Sequence, residues 1–235
     1  MKTYVWSVPT RIFHWLLAIG FAIAYISGET EAIPNFHHGF GLFVGSLLVF
    51  RFLFGLIGPV YSRFRDFPMG VSNQINFIKS FFNKQRIFIG HNPGAAVVML
   101  GIILIGISCS FFGFMIYAIE NQMITSSLGE DFFEEGHEIL AGIFLILVFM
   151  HLLGTILDSI FHSKTGTLAS IFTGNKNEEG TNVQLNVFQK FFSVLWIVVP
   201  LLMFFYGINL KIDNSEKAKQ EKHNNEDCHE DEDGD

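Results

Sequence analysis

The sequence predicts an all-α integral membrane protein, on three observations. Half of its 235 residues are hydrophobic and only 16% are charged. Soluble proteins carry about 25% charged residues, so too little polar surface is present here to cover a globule. The apolar residues gather into five runs, each able to cross a hydrocarbon layer of about 30 Å, which takes roughly 20 helical residues. The charge is also segregated: between Asp213 and Asp235 ten acids stand against three lysines, so the net charge of −7 belongs to the C-terminal tail and the rest of the chain is neutral. Because the bilayer core offers no water to backbone N–H and C=O groups, continuous apolar runs of this length read as helices.

The spans fall near 12–28, 36–57, 94–118, 137–161 and 190–210. The first holds His14 and lacks a clear small-residue cleavage site, so it reads as a retained span rather than a signal peptide. Pro34 and Pro93 stand just before the second and third, where a helix start tolerates a missing N–H. Pro200 lies inside the fifth and is expected to kink it. Lys2 and Arg11 at the N-terminus, Arg63, Arg65, Lys79, Lys84 and Arg86 in the 58–93 connection, and Lys164, Lys176 and Lys190 in the 162–190 connection mark one side of the membrane. The loops 29–35 and 119–136 have no Lys or Arg. By the positive-inside rule the N-terminus is cytoplasmic, and five spans place the C-terminal tail on the outer, periplasmic side. The tail, 212–235, reads as acidic and disordered, with His223, Cys228 and His229 as weak metal ligands at most.

Composition also excludes function classes. Phosphate binding needs clustered Lys and Arg, which are absent, so no nucleic acid is expected as a partner. Cys109 and Cys228 form neither CxxC nor CxxCH, which removes zinc-ribbon, thioredoxin-like and covalent c-type haem readings.

Five histidines, His14, His37, His38, His137 and His151, lie in or at the edge of spans, where an ionisable ring is costly and marks function. His137 and His151 are fourteen residues apart in the fourth span. Helical geometry keeps them within about 40° of one face and about 21 Å apart in height. His14 is level with His151 toward the inner surface, and His37 with His137 toward the outer. Two cross-helix pairs result, each suited to hold a haem iron between two neutral imidazoles. Structural zinc needs four ligands converging on one point, which this spacing denies. Gly20, Gly41, Gly45, Gly142 and Gly154 offer small surfaces against which a planar macrocycle can lie.

The residues at this point resemble the bacterial cytochrome b561 and nickel-hydrogenase cytochrome b group. The motifs are Arg11-x-x-His14-Trp15; His37 with Gly41 and Arg51 following; Gly55-Leu-Ile-Gly58-Pro59; Gly90-His91-Asn92-Pro93; His137-Glu138 and His151; and Ile171-Phe-Thr-Gly174-x-Lys176. The match runs from about residue 4 to 176. It implies a four-helix haem-binding bundle with two non-covalent b haems and electron exchange with quinones. It selects His37 over His38 as the ligand. A di-haem core over 1–176, a linker and fifth transmembrane helix over 177–211 and the tail follow as the organisation, with the fifth helix and the tail outside what the family explains.

Arg11, one turn before His14, and Arg51, near the inner end of span two, are candidates for haem propionates or positive-inside anchors. His91 and Asn92 stand at the entry of span three, where Asn92 fits a cap and the free N–H groups can meet a propionate or a quinone oxygen. Trp6, Trp15 and Trp196 fit interfacial anchoring or packing, and His162 a solvated place at the inner surface. Glu130, Asp131, Glu134, Glu135 and Glu138 crowd the outer loop, as plain solvated charge or as a patch steering a basic redox partner. The expected function is a di-haem b cytochrome of the bacterial inner membrane, carrying electrons between the quinone pool and a periplasmic c-type cytochrome or hydrogenase-like subunits. A polytopic transporter or a non-haem membrane anchor subunit is the alternative.

Overall fold

The structure is a computed structural model that describes residues 2–30, 34–83, 88–162 and 165–210. The acidic tail, with its expected disorder and its metal-ligand candidates His223, Cys228 and His229, lies outside the described residues. Among the described residues the fold has seven α-helices: α1 Val8–Thr30, α2 Pro34–Ile57, α3 Val71–Asn83, α4 Pro93–Glu120, α5 Glu130–Phe161, α6 Thr167–Thr173 and α7 Val187–Ile208. Two short strands, β1 Thr3–Tyr4 and β2 Asn175–Lys176, pair antiparallel. Helices α1, α2, α4, α5 and α7 are each long and apolar enough to cross a membrane, so the chain is an all-α membrane protein with five spans.

Each helix begins before the apolar stretch that signalled it, because hydropathy registers only the part facing hydrocarbon. The difference is largest in α5, which begins at Glu130, seven residues before the apolar run. Glu130 and Asp131 occupy its first turn, where carboxylates favour the positive end of the helix dipole. Helix α3 escaped the hydropathy reading altogether. Its Val71, Ile75 and Ile78 are exposed on one face, the pattern of a helix lying along a membrane surface.

Helix α2 is the hub: α1, α4 and α7 pack against it, and α4 in turn packs along α5. Membrane helices associate through close packing and interhelical hydrogen bonds, and the α2–α7 seam uses both. Gln189 Nε2 donates to Ile57 O at 2.8 Å at one end, and Trp196 Nε1 donates to Leu47 O at 3.1 Å in the middle. At the other end Gly207 meets Gly39, so that a Cβ on Gly207 would stand 2.6 Å from the Gly39 Cα. Trp196 is 1% exposed and packs between Phe13 and Phe54; of the two roles open to it, packing is the one it fills. Pro200 is buried within α7, which runs through it as one helix.

A small polar knot closes the end of the bundle where α5 finishes. Gly174 O accepts from Val5 N and Trp6 N at 2.8 and 3.1 Å, tying the N-terminus to the turn after α6. His162 is buried here rather than solvated. Its Nδ1 lies 3.2 Å from Asp158 Oδ1, and Asp158 Oδ2 accepts from Thr167 Oγ1 at 2.6 Å. The helix α6 that covers this network carries no hydropathy signal of its own, which is why the sequence pointed to solvent.

Candidate haem centres

The four paired histidines come together across helices. His14 on α1 and His151 on α5 have ring centroids 6.2 Å apart, and His37 on α2 and His137 on α5 have theirs 5.9 Å apart. Two metal–nitrogen bonds of about 2 Å plus two ring radii of about 1.1 Å give a separation of ~6.2 Å for imidazoles sharing one metal ion. Both pairs stand at that spacing.

The outer pair is fixed by backbone carbonyls of neighbouring helices. His37 Nδ1 lies 2.9 Å from Ala24 O, and His137 Nδ1 lies 3.0 Å from Cys109 O. A carbonyl only accepts, so each Nδ1 carries the proton and each Nε2 keeps its lone pair for a metal. Two glycines make room for the rings. A Cβ on Gly28 would stand 2.8 Å from His37 Nδ1, and one on Gly113 would stand 3.0 Å from His137 Cε1. The sequence reading missed all four contributors: a carbonyl carries no residue identity, and the glycines lie on different helices from the rings they admit. His38 turns to Tyr117, ring to ring at 5.8 Å.

Basic groups collect around the inner pair. Arg51 and His151 each lie fourteen residues beyond the histidine of the outer pair on their own helix, which sets them at one depth. Arg51 is 3% exposed, donates from Nη1 to Ser62 O at 3.3 Å and from Nη2 to Met99 Sδ at 3.7 Å, and sits over the Phe64 ring. Lys176, also buried, donates from Nζ to Ile89 O and Gly90 O, both at 2.9 Å. Arg11 donates to Phe172 O. His91 sits between the rings of Trp6 and Phe67, tilted to both, at 4.7 and 4.9 Å. Burial, then the positive charges of Arg51 and Lys176, hold its pKa well below the usual 6.5, and His151 acts on it too. His91 is therefore neutral at physiological pH. Its neighbour Asn92 caps α4, with Oδ1 accepting from Ala95 N at 2.7 Å.

At the outer end, Glu120 joins Glu130 and Glu134, with carboxylate oxygens within 4.8 Å of one another.

A sequence model of prokaryotic cytochrome b561 matches residues 5–174. The chain belongs to this family. Two Escherichia coli proteins, from strain K12 and from O157:H7, are similar to it. Each is named a probable Ni/Fe-hydrogenase 1 B-type cytochrome subunit and is 26% identical over 145 residues, covering 51% of this chain and 62% of the relative. The chain thus spans less than two thirds of the length of these relatives. No solved structure matches it. The family is one of membrane b-type cytochromes.

The residues of this family member fit haem. The ring spacings admit an iron, and buried polar atoms await a partner: His14 Nδ1, Arg11 Nε and His91 Nδ1 have no hydrogen-bond partner among the described residues. Among the described residues no carboxylate stands within salt-bridge reach of Arg51, so the negative edge of a cofactor suits it. The backbones of α1 and α5, which carry the inner pair, stand apart, bridged by Phe21 and Phe144 with ring centroids 4.8 Å apart. Gly41, one turn after His37, is only partly exposed, yet a Cβ there would meet nothing within 4 Å, which leaves an opening beside the outer pair. Gly142 and Gly154 also face open space, but they are exposed and lipid accounts for them equally. Gly20 and Gly45 do not serve a macrocycle. A Cβ on Gly20 would stand 2.9 Å from Phe43 Cδ1 and one on Gly45 2.5 Å from Ser110 Cβ, so these glycines let helices approach.

Proposed function

We propose that this chain is a di-haem cytochrome b that carries electrons across the bacterial inner membrane between the quinone pool and a redox protein on the periplasmic face. His14 and His151 hold the inner haem, and His37 and His137 the outer one, with residues 1–176 as the haem core. The observation that carries this reading is the spacing of the two ring pairs, 6.2 and 5.9 Å, at two depths along α5. The distribution of Lys and Arg among the loops supports a cytoplasmic N-terminus and a periplasmic tail.

Each haem, when bound, supplies one-electron chemistry. The chain's contribution is positional and electrostatic. The carbonyls of Ala24 and Cys109 hold the outer imidazoles in one tautomer and one orientation. Arg11 and Arg51 meet propionates, and the phenylalanine-rich helices keep water from the centres.

The relatives are named for a Ni/Fe-hydrogenase, and a hydrogenase-like protein on the outer face is the partner this supports. A periplasmic c-type cytochrome is the second reading, favoured by the clustering of Glu120, Glu130 and Glu134, which attracts a basic surface.

Reduced-minus-oxidised spectra and haem content of the wild type and of His14→Ala and His37→Ala variants test the reading. Each variant keeps one of two b haems, and a quinol analogue reduces the wild-type haem. Colourless wild-type protein, produced with ample haem, would instead support a transporter or a non-haem anchor.

A further inference from the structure

We propose that the inner centre has the higher reduction potential of the two and that Arg51 is the residue that raises it. This rests on the di-haem reading above. Reduction adds one negative charge to a haem, so a buried cation nearby favours the reduced form and a nearby anion opposes it. The effect is largest where water is excluded.

The two ends of the bundle differ in this respect. Arg51 is a permanent cation, 3% exposed, whose partners among the described residues are a carbonyl and a thioether rather than a carboxylate. It shares the depth of His151, and His91 lies where both act on it. Lys176 adds a second buried cation beside His91, held by the carbonyls of Ile89 and Gly90. The outer centre has the opposite surroundings. Both of its histidines donate from Nδ1 to carbonyls, which makes them stronger donors to iron and favours the oxidised form. His14 Nδ1 has no such partner among the described residues. Glu134 stands one turn before His137, and Glu138 directly follows it. Cations at one end and carbonyl-bound ligands and acids at the other all act in the same sense, and the gradient they set points inward.

Potentiometric titration of the purified holoprotein, followed at the absorption bands of haem b, reads this directly. The wild type titrates in two waves. In Arg51→Gln the upper wave moves to lower potential while the lower wave stays, and Arg51→Lys, which keeps the charge, restores it. His37→Ala, which removes an outer ligand, leaves the upper wave. Should Arg51→Gln fail to hold haem, Lys176→Gln gives the same downward shift of the upper wave. An upper wave unmoved by loss of either charge, a shift of the lower wave instead, or survival of the lower wave in His37→Ala would overturn the inference. Wild-type protein with fewer than two haems would overturn the di-haem reading itself.

Discussion

A histidine becomes a defined ligand only when something fixes its other nitrogen, and here that something is backbone. The Ala24 and Cys109 carbonyls orient His37 and His137, and Gly28 and Gly113 leave the rings space to reach them. Gly113→Val is expected to displace His137 and remove the outer haem, so that haem content falls by about half while the inner centre keeps its spectrum. Gly41→Leu separates cofactor from empty space. Its Cβ meets no protein atom within 4 Å, so the folded protein is expected to be retained, while haem content drops because the proposed outer haem would lie in that opening. His91 carries a pH dependence. Its folded pKa lies below the unfolded value of about 6.5, so in the interval between them the unfolded chain binds a proton that the native one does not. Stability is full above pH 6.5 and falls as the pH drops below it. Melting in detergent at pH 7.5 and 5.5 checks this, and His91→Phe should flatten the difference. The paired histidines were legible in the sequence because a helix converts spacing into depth and face. The carbonyls and clearance glycines were not, because they act from other helices through atoms that every residue has.

At the scale of elements, five spans could be read from composition because lipid demands uninterrupted apolar length. Helices α3 and α6 and the β1–β2 pair could not, since they depend on contacts among segments far apart in the chain: Thr3 pairs with Lys176 and Trp6 donates to Ser170. The place of α7 was equally hidden, because its apolar surface looks the same whether it meets lipid or α2. The structure sets it along α2, the helix that bears both His37 and Arg51. Trp196→Phe removes the bond to Leu47 O while keeping an aromatic ring, at an expected cost of about 0.6 kcal/mol, the average for interhelical hydrogen bonds in membranes. Gly207→Leu is more severe, because the Gly39 backbone cannot yield to a side chain there. Its melting temperature should fall well below that of Trp196→Phe.

The whole molecule is a bundle divided by charge and joined by what it binds. Basic residues gather around the inner pair and acids around the outer pair, a polarity that the sequence already suggested, while the burial of Arg51 and Lys176 is what the fold revealed. Helices α1 and α5 carry the inner ligands with their backbones held apart, so haem is expected to be part of the packing between them. A ligand that binds only the folded state stabilises it by mass action. Protein produced under haem limitation should accordingly melt earlier and be cleaved faster by protease than the haem-replete form. The central claim is that two histidine pairs at two depths each hold a haem, and the most direct measurement is the ratio of b haem to polypeptide in purified, haem-replete wild-type protein. Two haems per chain is the predicted result; one or none would contradict it.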